Sequence, residues 1–171
     1  MGLPRVLKTM TTIIDGIGYV GETKTMKLPN LDRKFEGWRG GGMNRPAKID
    51  LGGGDDLDIE HSYGGPIREV IRQYGLPSLT GVQIRWVGSF QNDDTGEITA
   101  VEVVVRGRHE EIDRGDQQVG EMGEFKVKTA CAYYKEIWNG RTEVEIDILA
   151  GVEIVGGIDR MAEHRAAIGQ F

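Results

Sequence analysis

VQIRWVGSFQNDDTGEITAVEVVVR, residues 82–106, contains two runs in which apolar and polar side chains alternate. The first run puts four apolar side chains on one face: Val82, Ile84, Trp86 and Phe90. The second run builds a largely β-branched face from Thr99, Val101, Val103 and Val105. A period of two indicates strands with one buried and one wet face. The polar residues 92–96 between the runs predict the turn that makes the two strands antiparallel.

The same alternation recurs along the chain, in residues 57–63, 124–137 and 142–150. Turn signals lie between these segments. Asn139-Gly140 and Asp15-Gly16 are dipeptides that supply the positive φ of a tight hairpin turn. The body of the chain is therefore predicted to be antiparallel β.

Two segments show a helical pattern. Residues 66–75 begin with Pro66 at a first helical position and end at Gly75, and residues 158–169 end in the same way at Gly169. Hydrophobic residues make up 39% of the 171-residue chain, enough for one core. The predicted fold is mainly β: an antiparallel β-sandwich or barrel with one or two short helices, in a single domain over residues 1–171.

One segment does not fit the alternation. Residues 33–56, RKFEGWRGGGMNRPAKIDLGGGDD, are polar and rich in glycine, with Trp38 among them. Loops of this length are uncommon in compact domains and are usually functional or disordered. We therefore predict a long glycine-rich loop, an excursion over residues 30–56, that contributes little to the core.

Composition excludes several classes of function. The net charge of −6 and the pI near 5.2 give no general attraction to nucleic acid or to an anionic membrane. The single cysteine, Cys131, excludes an intramolecular disulfide and favours a reducing, intracellular site of assembly. Residues 1–10 lack the apolar run of a signal peptide, and no stretch approaches the roughly 18 apolar residues of a membrane span. We expect a soluble cytosolic product without membrane insertion.

Short motifs with possible chemistry have simpler explanations. GIGYVG, residues 16–21, matches a dinucleotide fingerprint, but β-like residues follow it where a helix is needed, so hairpin glycines explain it better. The acidic residues 52–60 and 109–116 lack the spacing of a calcium loop or a second histidine at ligand spacing. We expect no metal and no cofactor.

Cysteine and histidine give no catalytic centre either. Cys131 is predicted to share a strand face with Phe125, Val127 and Tyr133, as a buried structural thiol. His61 lies on an apolar strand face and is predicted to be a hydrogen-bonded core histidine. His109 and His164 lie in charged surroundings. The chain is predicted not to be an enzyme.

Three acids follow one another at a spacing of two: Glu143, Glu145 and Asp147. They alternate with Val144, Ile146 and Ile148, so they are predicted to share a face that meets water. Like charges in a row are unfavourable in a crowded interface. An ordinary solvated sheet face and the wall of a water-filled channel both remain open at this point.

Long runs of the sequence resemble one family of proteins. The runs are LPNLDRKFEGWRGGGMNRPAKIDLG (28–52), VGSFQNDDTGEITAVEVVVRGRHEEIDRGD (87–116), GEFKVKTACAYYKEIWNGR (123–141) and GIDRMAEHRAAIG (157–169). In this order they resemble the major tail tube proteins of contractile-tailed bacteriophages and the tubes of R-type bacteriocins. The resemblance covers nearly the whole chain apart from residues 66–81.

The resemblance implies a β-sandwich subunit that forms six-membered rings, in which strands from all subunits close one barrel around a lumen. The rings stack into a tube inside a contractile sheath, assembled in the host bacterial cytoplasm as part of the virion tail. Implied partners are other copies of the chain, the tail sheath, the tape measure protein, the baseplate hub and the tail terminator. DNA passes through without specific binding.

The resemblance also assigns residues. The excursion would contact neighbouring subunits and the adjacent ring through Trp38, Arg39, Gly40, Gly41, Gly42, Met43 and Asn44, with Trp38 and Met43 as apolar anchors. Glu143, Glu145 and Asp147 become candidates for the lumen wall, where like charge keeps DNA from adhering.

Two other classes of function compete with a structural tube subunit. One is a binding module, a small β-barrel that holds an apolar or metal ligand with the acidic loops at its mouth. The other is a hydrolase with scattered carboxylates, which has little support. The sequence leaves open whether the tail belongs to a genome-carrying phage or to a headless bacteriocin.

Overall fold

The computed structural model describes residues 2–170, in which strands dominate. The strands are β1 (Arg5–Ile14), β2 (Ile17–Gly18), β3 (Thr23–Lys27), β4 (Arg33–Trp38), β5 (Ala47–Gly53), β6 (Asp58–Tyr63), β7 (Val82–Asn92), β8 (Ile98–Asp113), β9 (Phe125–Trp138), β10 (Arg141–Asp147), β11 (Val152–Val155) and β12 (Ile158–Asp159). The helices are α1 (Arg68–Arg72) and α2 (Ala162–Ala167). The predicted antiparallel, mainly β fold is confirmed.

Most of the strands belong to one branched antiparallel sheet of ten strands. Its main path runs β12-β11-β10-β9-β8-β7-β1-β2, while β6 and β3 branch from β9. One edge of β9 serves two neighbours in turn, because residues 125–130 pair with β6 and residues 133–138 pair with β10. The branch gives the sheet two parts that enclose a core between them.

The sheet bends where it branches. The pairing of β8 with β9 shifts between Arg106 and Gly107, so Ala132 is an extra residue in β9. A side chain at Gly107 would overlap the backbone carbonyl of Ala130 and press on the Cα of Cys131. Only glycine allows the two backbones to approach so closely at this bend.

The core contains the apolar faces predicted from the sequence. Val82, Ile84 and Trp86 are buried, Phe90 is half-buried, and the β8 face predicted from the alternation is buried throughout. Tyr63 and Tyr134 are the largest fully buried side chains. Helix α1 adds Val70 to the same cluster. Both predicted tight turns are also confirmed, with positive φ at Asp15-Gly16 and at Asn139-Gly140.

The helices are shorter than predicted. The helix expected over residues 66–75 is confined to Arg68–Arg72, and Ile67 at its start makes no side-chain capping bond. In the segment 158–169, residues Ile158–Asp159 are β12 and the helix covers only Ala162–Ala167. Positive φ at Gly156 and Gly157 turns the chain back on β11, so the first residues of the expected helix pair as a strand.

The predicted loop over residues 30–56 is mostly a β-hairpin. β4 and β5 form a separate two-stranded sheet, with Phe35 opposite Asp50 and Trp38 opposite Ala47. A period of two is present only in β5, where Ala47, Ile49 and Leu51 alternate with Lys48 and Asp50, and the glycines and charges of the segment otherwise favour a loop. Irregular backbone remains in residues 39–46 between the strands.

The bulge at Ala132 also corrects the predicted face of β9. Cys131 is buried with Phe125 and Val127, as expected. Beyond the extra residue, Tyr134 takes the interior position, and Tyr133 pairs with Arg106 on the other face of the sheet. Burial raises the pKa of the Cys131 thiol to about 12, which agrees with a structural role.

The close approach at Gly107 leads to a stability prediction. Gly107→Ala should lower the free energy of unfolding by about 3 kcal/mol, because the added methyl group cannot fit against the Ala130 carbonyl. Gly65→Ala is the matched control, since a methyl group there meets no atom within 4 Å. Urea unfolding of the unassembled chain, followed by circular dichroism, compares the two variants. Equal stability of both would contradict the role given to Gly107.

Candidate assembly surfaces

The hairpin β4–β5 is unusually apolar for an exposed element. Trp38 is 62% exposed and Phe35 is 53% exposed, while Ile49 and Leu51 are similarly open. The register puts Phe35 and Ile49 on opposite faces of the two-stranded sheet. An isolated two-stranded hairpin is marginally stable in water. Both faces of this hairpin therefore expose apolar side chains to solvent.

Ion pairs and hydrogen bonds hold the base of the hairpin. The Arg33 guanidinium contacts the carboxylate of Asp50 in β5, and its Nη1 donates to Glu153 of β11 at 2.8 Å. The Asp32 carboxylate accepts from the backbone N–H of Asp55 at 3.2 Å. These contacts attach the base to the body of the protein.

The hairpin tip, residues 38–46, contains the predicted contact residues Trp38, Arg39, Gly40, Gly41, Gly42, Met43 and Asn44. Met43 is half-buried, because its sulfur lies 3.2 Å from the Gly40 backbone nitrogen. The Nε of Arg39 donates to the Met43 carbonyl at 3.1 Å. Met43 therefore packs within the tip, whereas Trp38 presents its indole to solvent.

The face of the main sheet that points away from the core carries charged side chains beside the half-buried Val104, Ile137 and Ile154. Glu145 pairs in register with Lys135, and Asp147 pairs with Tyr133. Arg106 lies over the Tyr133 ring at 4.6 Å from the centroid. Burial and the nearby Glu145 carboxylate raise the pKa of the Tyr133 hydroxyl. We call this surface the open sheet face.

The three predicted acids do not form one regular row. A bulge between Thr142 and Val144 leaves Glu143 without a register partner, so alternation does not place it with the other two. Glu145 and Asp147 do share the open sheet face. Their charge is offset by a basic residue across the strand, Lys135, and by Arg106 beside Tyr133.

Buried polar side chains connect four elements in the interior. His61 of β6 is hydrogen-bonded to Tyr63 Oη at 2.7 Å and to Thr129 Oγ1 of β9 at 3.0 Å. Thr129 Oγ1 also lies 3.0 Å from Nδ1 of His109, whose Nε2 is 2.9 Å from Gln73 Oε1, just beyond α1. The prediction for His61 is confirmed. His109 was expected among charges, but it faces inward, because the alternation of β8 buries it together with Val103, Val105 and Gly107.

Burial keeps both interior histidines neutral. Loss of solvation lowers the pKa of His61 to about 3, and the nearby His109 adds to the effect. Burial likewise lowers the pKa of His109 to about 4, against a smaller opposite influence of Asp15. The hydrogen bonds tie β6, β8, β9 and the end of α1 together, which is a structural role.

Within residues 2–170, no group of three histidine, cysteine, aspartate or glutamate side chains is arranged to hold a metal ion. No helix in that range is long and apolar enough to cross a membrane.

Comparison with known proteins assigns the chain to a family. Residues 4–169 match the family described as phage tail tube protein FII. The chain belongs to this family. The tail tube protein of Escherichia phage P2 is 45% identical over 171 residues, which is 99% of each chain. The major tail tube protein of Serratia phage KSP20 is 33% identical over 150 residues, covering 87% of this chain and 86% of that protein.

Solved structures show the same fold. A chain from the sheath/tube terminator of an extracellular contractile injection system has a TM-score of 0.58 at 11% identity, covering 80% of this chain and 97% of that one. A chain of the anti-feeding prophage baseplate has a TM-score of 0.57 at 12% identity, with coverage of 80% and 97%. The chain is a structural subunit of a tail tube, and the ligand-binding alternative finds no support.

The neutral histidines lead to a prediction about pH. The unfolded chain binds protons at histidine below pH about 6.5, whereas the folded chain does not until about pH 4 or 3. Stability should therefore fall as pH drops through this window, by about 1.4 kcal/mol per pH unit for each histidine.

Urea unfolding of the unassembled chain at several pH values between 7 and 5 measures this slope. The double variant His61→Gln, His109→Gln should have a shallower slope than the wild type. His164→Gln is the control, since His164 is exposed, and it should keep the wild-type slope. An unchanged slope in the double variant would contradict the prediction.

Proposed function

We propose that six copies of this chain form a ring and that the rings stack into the inner tube of a contractile tail. The tube is the channel through which the genome passes in a phage, or the space that holds the tape measure in a headless particle. DNA passes without specific binding. The subunit performs no catalysis and binds no cofactor.

The exposed apolar hairpin is the observation that carries the proposal. Phe35, Trp38, Ile49 and Leu51 project from the body on an element that cannot bury them within its own chain. Contiguous exposed apolar surface marks a site of interaction. A neighbouring copy, within a ring or in the adjacent ring, would cover these side chains.

The edges of the main sheet fit ring closure. Its path ends in β12 at one side and in β2 at the other, and each of these strands has two residues. Within the described residues, no strand pairs with residues 5–11 of β1 on the β2 side, so backbone groups there are available to another chain. Closing a barrel across six subunits would pair these edges and remove the risk of uncontrolled strand addition.

The open sheet face is the surface proposed to line the channel. It presents the acids Glu145 and Asp147 of β10 beside Lys135 of β9 and Arg106 of β8, so it mixes acidic and basic side chains. A wall of this kind offers DNA no continuous positive surface and therefore little counterion release. Glu143, at the bulge, would lie near the rim of this wall.

The proposed partners follow from a tube in a contractile tail. They are the sheath around the tube, the baseplate hub and the terminator at its ends, and the tape measure within it. Assembly would take place in the host cytoplasm, and the final location is the virion tail. The structures of similar fold come from a sheath/tube terminator and a baseplate, which supports such neighbours.

Electron microscopy tests the tube. Concentrated wild-type protein, alone and with purified baseplates, should form rings or stacked tubes. A variant with residues 39–44 replaced by serines should keep the far-ultraviolet circular dichroism of the β body, since the hairpin lies outside the main sheet, but should form no stacked tubes. Wild-type protein that stays monomeric under every condition, including with baseplates, would refute the proposal.

A second experiment tests the channel wall. Glu145→Lys with Asp147→Lys would leave Glu102, which is paired with Arg85, against an excess of basic residues on the open sheet face, and six copies per ring would hold DNA. Particles with this variant should release DNA slowly at low salt and normally at high salt. The control, Asp116→Lys with Glu121→Lys, makes the same charge change in an exposed segment. Normal release at low salt would put this face outside the channel.

A further inference from the structure

A groove of about 970 Å³ lies at the base of the hairpin, between the start of β6 and the β10–β11 turn. We call it the base groove. Its apolar lining includes Val144, Ile146, Val155, Met161 and Leu31. Leu31 is 52% exposed, so part of this lining is open to solvent.

Acidic side chains surround the base groove. Seven acidic residues line it, against two basic ones: Asp32, Asp55, Asp56, Asp58, Glu110, Asp147 and Glu153. Both basic residues already have acidic partners, since Arg33 contacts Glu153 at 2.8 Å and Lys128 lies 3.8 Å from Glu110. Within residues 2–170, no lysine or arginine nitrogen lies within 4.0 Å of the Asp55 or Asp56 carboxylate. The groove thus combines an apolar lining with an excess of negative charge.

The hairpin tip has the complementary chemistry. Residues 38–46, WRGGGMNRP, contain two arginines and no acid. Trp38 is 62% exposed, and Arg45 makes no ion pair within the described part of the chain. A large indole beside two positive charges matches a groove that is apolar inside and acidic at its rim.

The tip cannot reach the groove of its own chain. The groove lies at the base of the hairpin, and β4 separates base from tip by six residues. At the usual rise of a strand this is about 20 Å. A tip in the base groove must therefore come from another copy of the protein.

We propose that the hairpin tip of one subunit docks in the base groove of a second subunit, with Trp38 against the apolar lining and Arg39 and Arg45 at the acidic rim. The contact is head-to-tail: each copy offers a tip at one place and a groove at another. Contacts of this type propagate without closing on themselves. The inference rests on the proposed function, because it names the surface that receives the hairpin during tube assembly.

Charge exchange tests the contact. The tip variant carries Arg39→Glu and Arg45→Glu, and the groove variant carries Asp55→Lys and Asp56→Lys. In the tip variant an acidic tip faces an acidic groove, and in the groove variant two lysines replace the two carboxylates that have no ion partner, so baseplate-primed tube formation should fall at least tenfold in each. Each variant should remain folded by circular dichroism, because no ion pair within residues 2–170 uses these side chains.

Recombination of the two surfaces provides the decisive measurement. In a chain that carries all four substitutions, the two glutamates of the tip meet the two lysines at the rim of the groove, and tubes should form again. An equimolar mixture of the tip and groove variants should also form tubes with the two chains alternating, since the acidic tip of one chain then meets the rim lysines of the other, and the arginine tip meets the acidic groove. Electron microscopy and pelleting of tubes give the yield.

Two controls separate the contact from net charge. Arg68→Glu with Arg72→Glu repeats the charge change of the tip variant on the exposed side of α1, and Asp116→Lys with Glu121→Lys repeats that of the groove variant. Both controls should form tubes as the wild type does. Assembly by either surface variant alone at the wild-type yield would overturn the docking proposal.

Failure of both variants without rescue in the four-substitution chain or the mixture would also overturn it, and would assign the groove to a different occupant. A wild-type chain that forms no tubes gives a different result from these, because it refutes the tube itself rather than the docking of the tip.

Discussion

The close approach of β8 and β9 at Gly107 is the constraint on which the rest of the structure depends. Because no side chain stands between Gly107 and the carbonyl of Ala130, the two longest strands can bend while they remain paired. The bend and the extra residue Ala132 let one edge of β9 pass from β6 to β10. The bend therefore produces both the enclosed core on one side of the sheet and the open sheet face on the other.

The buried polar side chains lie on the β6 side of the same bend. Thr129 is one residue before Ala130 and accepts or donates to both interior histidines. These bonds hold β6 against β9 in a place where apolar packing alone would not specify register. A fully bonded polar group in the core is compatible with burial, whereas an unpaired one is costly. The histidines are thus part of how the branched sheet is specified.

The sequence predicted much of the fold, for a physical reason. Regular strands with one buried face, such as those containing Ile84 and Val103, can be predicted from their period of two. The turns at Asp15-Gly16 and Asn139-Gly140 can be predicted because these dipeptides readily adopt positive φ. The alternation of apolar and polar residues does not show where a bulge lies. Each bulge inverts the alternation of the residues beyond it. The predicted face of Tyr133 is therefore wrong, and the predicted face of Glu143 has no support from the register.

The hairpin β4–β5 could not be predicted from the residue pattern for another reason. Both faces of the hairpin carry exposed apolar side chains, with Phe35 on one face and Ile49 on the other. The hairpin therefore lacks the division into one apolar and one polar face that identifies a core strand. The resemblance to tail tube proteins, and not the residue pattern, predicts that residues 38–44 contact other subunits. The base groove could not be predicted, since it brings together residues 30–33, 52–58 and 144–161 only through the fold.

The hairpin that is attached only at its base also bears on the kinetics of growth. A free subunit that docks must give up the conformational freedom of its tip, and the first contacts offer little buried area to offset that entropy. In the proposed tube, a finished ring would present six ordered surfaces at once, so each later subunit would meet a template. Elongation should then be much faster than spontaneous initiation, which leaves tube number under the control of the structure that starts each tube.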